Sequence, residues 1–460
     1  MKKLVLFLLV LCFSVNGGFS QTKLSAEQLL YDLDYLFNKL EYIHPNLYAY
    51  TPEDEIDQAI SSIKSEIRDS MNSVDFWLRV SPIVNSLDHG HTGITPQNSE
   101  VNRYIGELQK TGFSYFPFSI LIIDSNIYVH DIYTDTKVIE RGNRVISING
   151  INASDILFKL INYENGERME YRLYYVERGF IWNYPLIYPN SKYKVVYMNK
   201  GVEKTILLNG ISEQETDEYA AKVFSVYKKN YRFKIVENNI ACIEYNQCHD
   251  YDNFKLFLDS AFTIIKHDKI TNLIIDIRKN EGGDSRLNAL LLTYLTYKPF
   301  YECSKHIEKI TSDIRTTNEY YSQFSKDTIL KLTKYQYYEN KPENHLSFKG
   351  KVFLLTGIAT FSSGTELAML IKDFELGEII GQETGGIPTG YGDRFNFELP
   401  NTKTKVSVSY KWSLRPSGID DDRGVIPDII LKPSLQNLLS DKDFEMDYVI
   451  NMIKTSKTLR

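Results

Sequence analysis

Between residues 240 and 374, three short apolar runs are each followed by a stretch of helical spacing. Ile240-Ala241-Cys242-Ile243-Glu244-Tyr245 leads into residues 252–266, Leu273-Ile274-Ile275-Asp276-Ile277 into 285–297, and Val352-Phe353-Leu354-Leu355 into 366–374. Apolar runs without strict alternation belong to strands covered on both faces. Strands separated by helices pair in parallel through crossover connections, because a tight hairpin cannot reach a parallel neighbour. An α/β layer is therefore expected, and 43% hydrophobic with 24% charged residues supplies an ordinary globular core for it. A length of 460 residues leaves room for two or three domains.

Upstream the spacing changes. Ser25-Ala26-Glu27-Gln28 has the form of a capping box and opens a helix with apolar Leu29, Leu30, Leu33, Leu36, Phe37 and Leu40, ending before Pro45. A second helical stretch is expected from about 55 to 84, closing in the loop Leu87-Asp88-His89-Gly90-His91-Thr92-Gly93. Residues 111–209 are β-rich: Ile120-Leu121-Ile122-Ile123 and Ile127-Tyr128-Val129 flank a hairpin turn, and Arg144 to Ile148 and Tyr193 to Met198 read as further strands around a helix from Ser154 to Ile161. The polar stretch 301–349 reads as a helical insertion. The expected organisation is a helical region over 21–104, a β-rich module over 105–212, the α/β core over 213–440 and a C-terminal helix or tail over 441–460.

Residues 1–20 read as an export signal: Lys2 and Lys3, an apolar run from Leu4 to Val15, then Gly18-Phe19-Ser20. That run is short for a membrane span. The mature protein is therefore expected in a periplasm or outside the cell, with outer-membrane association only if Cys12 carries lipid. The bulky Leu11 before Cys12 fits a lipoprotein signal badly. Losing Lys2 and Lys3 takes the net charge from -6 to -8. A mildly acidic chain with no basic block is not matched to nucleic acid or anionic lipid. Cys242, Cys248 and Cys303 are an odd number, so no disulfide framework is implied. Cys303 with His306, and Cys248 with His249, resemble halves of metal sites that nothing completes, and no metal is expected. The 33 Tyr against 3 Trp suit half-buried packing or a groove for extended peptide.

Two segments can carry chemistry. In Thr360-Phe361-Ser362-Ser363-Gly364-Thr365-Glu366 a buried strand, a tight turn and a serine precede a helix, the arrangement of a nucleophile elbow. The same residues also suit a plain helix cap through Ser362 or Ser363. In Asp276-Ile277-Arg278-Lys279-Asn280-Glu281-Gly282-Gly283-Asp284, glycines follow a parallel strand where α/β sheets place ligands, or simply make a strand-to-helix turn. The Lys-Ser/Thr ending of a phosphate loop is missing. A serine nucleophile needs a base, and His91, in a glycine-flanked loop beside Asp88 and His89, is the candidate among eight histidines.

Taken in order, these segments resemble the C-terminal processing (tail-specific) peptidase family, which includes the tricorn core. Phe361-Ser362-Ser363-Gly364-Thr365-Glu366 is similar to that family's nucleophile motif, in which the serine stands three residues before the glutamate; this selects Ser363. Residues 273–283 resemble its strand-and-glycine motif, and Ile380-Gly381-Gln382-Glu383-Thr384-Gly385-Gly386 and Gly424-Val425-Ile426-Pro427-Asp428-Ile429 resemble two later signatures. Residues 142–150 resemble the later part of a PDZ domain. The resemblance implies a crotonase-like α/β catalytic core with a PDZ-like module and a small helical N-terminal region.

It also implies a serine-type peptidase without cofactor, acting on peptide or unfolded protein. The family's Ser/Lys branch carries a lysine in the stretch that here reads Gly385-Gly386-Ile387-Pro388-Thr389-Gly390-Tyr391-Gly392, without one. The Ser/His, tricorn-like branch is therefore implied, with His91 matching the histidine before a threonine. Asp421 has the offset of that branch's acidic residue, where the family has glutamate. Gly364, with Gly282 or Gly283, would donate to the oxyanion. A rival class is a non-catalytic protein of this fold that holds peptides or apolar ligands, and an esterase would use the same apparatus.

Overall fold

The computed structural model describes residues 23–134, 138–225, 229–339, 344–440 and 442–458. The expected leader over 1–20, including Cys12, lies outside the described residues. The chain divides into two compact units: Met1–Val223 with Thr311–Gln323 and Asp393–Tyr410, and Phe224–Ile310 with Phe324–Gly392 and Lys411–Arg460.

The first unit opens with helix Ala26–Ile43, whose Ser25 side chain accepts the Gln28 amide while the Gln28 side chain accepts the Ser25 amide. Its stripe of Leu29, Leu33, Leu36, Phe37 and Leu40 is buried, as amphipathic spacing requires. The single helical stretch expected over 55–84 is instead two helices, Glu53–Glu66 and Ser73–Asn85. Between them Met71 bridges back to Leu24, and Asn72 caps the second helix by accepting the Asp75 amide, so the chain is extended at the break. An unforeseen helix, Asn98–Lys110, follows.

The β-rich stretch forms an antiparallel sheet in the order Phe118–Ile123, Asn126–Ile132, Arg144–Ile148, Lys192–Asn199, Val202–Asn209, with Ile151–Asn152 paired onto Arg144–Ile148. Helices Ala153–Ile161 and Met169–Ile187 share one apolar core with this sheet. Part of the tyrosine content is spent there on packing: Tyr184, Tyr193 and Tyr197 are fully buried, and the Tyr193 hydroxyl donates to the Ser114 carbonyl at 2.6 Å. Late in the chain, Lys405–Val408 returns to pair antiparallel with Gly93–Thr95, Gly93 opposite Ser407.

The second unit contains the expected α/β layer. Its strands run Ile429–Ile430, Glu378–Gly381, Lys351–Thr356, Asn272–Asp276, Ile240–Tyr245, Tyr231–Glu237, all parallel except the last. Helices Tyr251–His267, Arg286–Leu295 and Ser363–Asp373 cover one face. Met446, Val449 and Ile453 of helix Phe444–Thr458 pack with Ile240, Cys242, Ile274 and Phe353 on the other. Burial on both faces is why these strands carry continuous apolar runs.

The helical insertion expected over 301–349 is corrected. Phe300–Ile310 and Thr328–Tyr338 form a long antiparallel pair, extended by Lys411–Leu414 and Gly390–Gly392 into a four-stranded sheet. The polar residues of 328–338 lie on an edge strand that is largely open to solvent, so polarity there signalled exposure rather than helix. Cys242, Cys248 and Cys303 are buried free thiols. Among the described residues no helix is long and apolar enough to cross a membrane, and no group of three or more His, Cys, Asp and Glu could hold a metal ion.

Candidate active site

Strand Lys351–Thr356 leaves the sheet beside Asn272–Asp276, and both chains then turn within reach of each other. At the first turn Gly364 N–H donates to Phe361 O at 2.9 Å across Ser362, whose φ of 51° and ψ of -124° are those of the first corner of a type II′ turn. Glycine normally takes that corner, and a residue with a Cβ is strained there by about 1–3 kcal/mol. Ser363 then begins the helix Ser363–Asp373, where the dipole and the free amides of the first turn concentrate positive potential.

The helix-cap reading does not hold. Ser362, the capping residue, makes no side-chain hydrogen bond to the helix, and Ser363 Oγ donates to the Gly283 carbonyl at 2.8 Å. Ser363 is 6% exposed. Its hydroxyl thus rests on a neutral backbone acceptor, which orients it but cannot take its proton.

The glycine segment is the wall against which this turn closes. A Cβ at Gly282 would lie 2.7 Å from Ser362 Cβ and 2.9 Å from Ser363 N, and one at Gly364 would lie 2.3 Å from Asn280 O. Gly282 and Gly283 also have φ of 101° and 134°, which only glycine adopts without strain. The oxyanion candidates are not equivalent. Gly282 N–H is held by Asn280 Oδ1 at 2.9 Å, and Gly364 N–H by the turn bond to Phe361. Gly283 bridges Cys248 through its neighbours: Cys248 N–H donates to Gly282 O, and Asp284 N–H donates to Cys248 O. Its own polar groups therefore project away from that ladder, and its carbonyl meets Ser363 Oγ.

Two asparagines that the sequence reading passed over organise this centre. Asn280 is fully buried: its Nδ2 donates to Tyr245 O at 2.9 Å, its Oδ1 holds Gly282, and its carbonyl accepts the Phe361 amide at 3.0 Å. Asn288, also fully buried, donates to the Ser363 carbonyl at 2.7 Å and accepts the Tyr245 hydroxyl at 3.4 Å. Thr360 Oγ1 donates to Ile277 O at 2.8 Å and completes the lacing of the two turns. Cys248 lies in this cluster, where burial pushes its thiol up to about 12, so it is a packing group and not a thiolate.

The later signatures are a structural tie. Glu383 accepts the Gly424 amide at 2.8 Å and pairs with Arg423, and Thr384 Oγ1 accepts the Val425 amide at 2.8 Å. Asp421 sits on the exposed loop so anchored; its carboxylate accepts the Arg423 amide at 3.3 Å, and among the described residues it makes no hydrogen bond to Ser363. Neighbouring Asp420 titrates above its usual range through burial and the charges of Asp422 and Asp421. His306, in the same unit, is buried with Nδ1 on Ser413 Oγ at 2.7 Å and Nε2 on Glu308 at 3.0 Å, so both ring nitrogens are engaged.

His91 belongs to the first unit, in the loop that leads into strand Gly93–Thr95. The two histidines of the loop are not alike. His89 is buried, its Nε2 on the Leu47 carbonyl at 2.8 Å and its ring against His44 and Tyr50; burial lowers it to about 4. A ring held neutral in this way is a packing element, whereas His91 is half-buried.

Residues 239–431 match the family model described as peptidase family S41. No curated protein matches the sequence. Among solved structures, mature CPAF aligns over 90% of this chain and 94% of its own, with a TM-score of 0.63 at 14% identity. Mature CPAF complexed with lactacystin aligns over 94% and 99%, with a TM-score of 0.65 at 15% identity. Likeness at such identity is one of fold, and the fold shared is this mixed α/β arrangement of several sheets.

Proposed function

We propose that this chain is a serine-type peptidase, a reading supported by the match of residues 239–431 to the S41 family model, with Ser363 as the nucleophile and His91 as its general base. The observation that carries the reading is the Ser363 turn itself: a strained corner, a helix N-terminus and two glycines closed around one oriented hydroxyl. His91 takes the Ser363 proton as Oγ attacks a peptide carbonyl, and the tetrahedral intermediate collapses to an acyl-enzyme when the base returns that proton to the leaving amine. Water, activated by the same base, releases the acid.

The oxyanion is assigned first to Gly283 N–H, with Gly364 N–H joining when the turn relaxes; one such donor is worth about 3–4 kcal/mol. Gly282 contributes space, since its amide serves Asn280. Asp421 supports the histidine network, and Asp421→Asn is expected to cost less activity than loss of His91. The Ser/His assignment within the family rests on the absence of a lysine from residues 385–392.

The β-rich module over 105–212 is assigned a PDZ-like role in holding a peptide C-terminus; amidated peptides should bind it more weakly, and equal binding of free and amidated peptides would remove that role. Export through residues 1–20 predicts a mature chain beginning at Gln21, which N-terminal sequencing reads directly. The decisive experiment is fluorophosphonate labelling. The wild-type protein should be labelled and Ser363→Ala should not; labelling that survives Ser363→Ala refutes the nucleophile.

A further inference from the structure

The loop that carries His91 is gripped by the side chains of one distant segment, residues 165–172. Glu167 Oε1 accepts the Gly90 amide at 2.8 Å. Asn165 Nδ2 donates to the Gly90 carbonyl at 2.8 Å and to the Thr92 carbonyl at 3.4 Å, so it straddles His91. Arg172 pairs with the Asp88 carboxylate and donates to the Asn85 carbonyl at 2.8 Å, while its Nε holds Gly166 O at 2.8 Å. Asp88 is in the left-handed region at φ 59°, which aspartate enters more readily than most non-glycine residues.

Downstream, Thr92 is fixed by its hydroxyl accepting the Ser409 amide at 3.2 Å and by the strand that follows. The backbone is thereby pinned immediately before and after His91, and the histidine is the residue between the pins.

We propose that Glu167, with Asn165 and Arg172, is a positioning residue that sets where the His91 ring is presented, acting through the Gly90 peptide. The proposal rests on the reading of His91 as general base. The charged groups facing Glu167 are Arg172 and Asp88, and burial lifts its carboxyl to about 7 against the pull of the Gly90 amide and Arg172. The grip on the loop therefore includes one member that titrates near neutral pH.

The test uses the full chain and a fluorophosphonate, whose reaction forms the Ser363 Oγ–P bond, expels fluoride and passes the serine proton to His91. Glu167→Ala should lower the maximal inactivation rate by about 10- to 100-fold, the scale of a small misplacement of a reacting group, with the half-saturating probe concentration unchanged. Glu167→Gln keeps an oxygen acceptor for Gly90 N–H, so it should restore most of that rate and change the pH profile, leaving only the titration of the base in it. A wild-type rate and pH profile in Glu167→Ala, or equal losses in the Ala and Gln variants, would overturn the proposal. His91→Ala is measured alongside: if it still reacts, the base assignment has failed; if it is inert while Glu167→Ala is normal, only the clamp has. Should Glu167→Ala melt below assay temperature, Asn165→Ala removes the Gly90 and Thr92 carbonyl contacts and should show the same rate loss; a normal rate there also overturns the proposal.

Discussion

The Ser363 turn is laced by neutral groups: two fully buried asparagines, a threonine hydroxyl and glycines packed against backbone. The His91 loop is held largely by charged ones, Glu167 on an amide and Arg172 on Asp88, with Asn165 between them. The supports fail in different ways. A neutral, close-packed turn is indifferent to pH and intolerant of added volume. A loop held by ionisable side chains responds to protons, and at Gly93 it leaves ordinary room for a methyl group.

The comparison can be broken in order of expected effect. Replacing the proposed base should do most: His91→Ala is expected to slow fluorophosphonate reaction by about 10²- to 10⁴-fold, whereas exposed His267→Ala should leave the rate alone. Volume comes next. Gly364→Ala would place a Cβ 2.3 Å from Asn280 O and should cost about 3 kcal/mol in denaturant melts. Gly93→Ala, beside the histidine loop, meets Asn165 at an ordinary 3.4 Å and should cost less than about 1 kcal/mol. Equal losses would erase the distinction.

Removing an amide follows. Asn288→Ala strands the Ser363 carbonyl and the Tyr245 hydroxyl and should cost about 1–3 kcal/mol, by the same amount at pH 6 and pH 8. The last effect is the proton-linked one. Burial raises Glu164, which accepts Asn183 Nδ2 at 3.1 Å, to about 8. Between the ordinary glutamate value and that figure the folded chain keeps a proton the unfolded chain has lost. Unfolding then releases a proton, and rising pH destabilises the fold by up to about 1.4 kcal/mol per pH unit from this group. Melts of Ser363→Ala should show stability falling from pH 6 to 7, and adding Glu164→Gln should reduce that slope by this amount; an unchanged slope would show that Glu164 is ionised throughout.

What was legible in the sequence follows from how locally each feature is determined. The core strands were plain because burial on both faces leaves uninterrupted Ile, Leu and Val, and the Ser25 cap because its partners lie three residues apart. Helix Met169–Ile187 was missed: it is buried around most of its circumference and contains Gly179 and Pro185, so neither amphipathic period nor composition marked it. The strand pair at 300–338 was misread because an exposed edge strand looks polar. At the Ser363 turn, the serine and the glycines stood out by motif. Asn280 and Asn288 there, and Asn165 and Glu167 at the His91 loop, did not, since each acts on backbone brought to it by the fold, Asn288 on a residue 75 positions away. An asparagine in isolation carries no sign of such a role.

The resting hydrogen bond from Ser363 to Gly283 has a kinetic consequence. A bond of this kind is worth about 0.5–1.5 kcal/mol net, so on the order of a tenth or more of the molecules hold the hydroxyl loose at any moment. Rotation about a single side-chain bond interconverts the two populations. The contact therefore restrains the hydroxyl by a small constant factor and does not lock it in place.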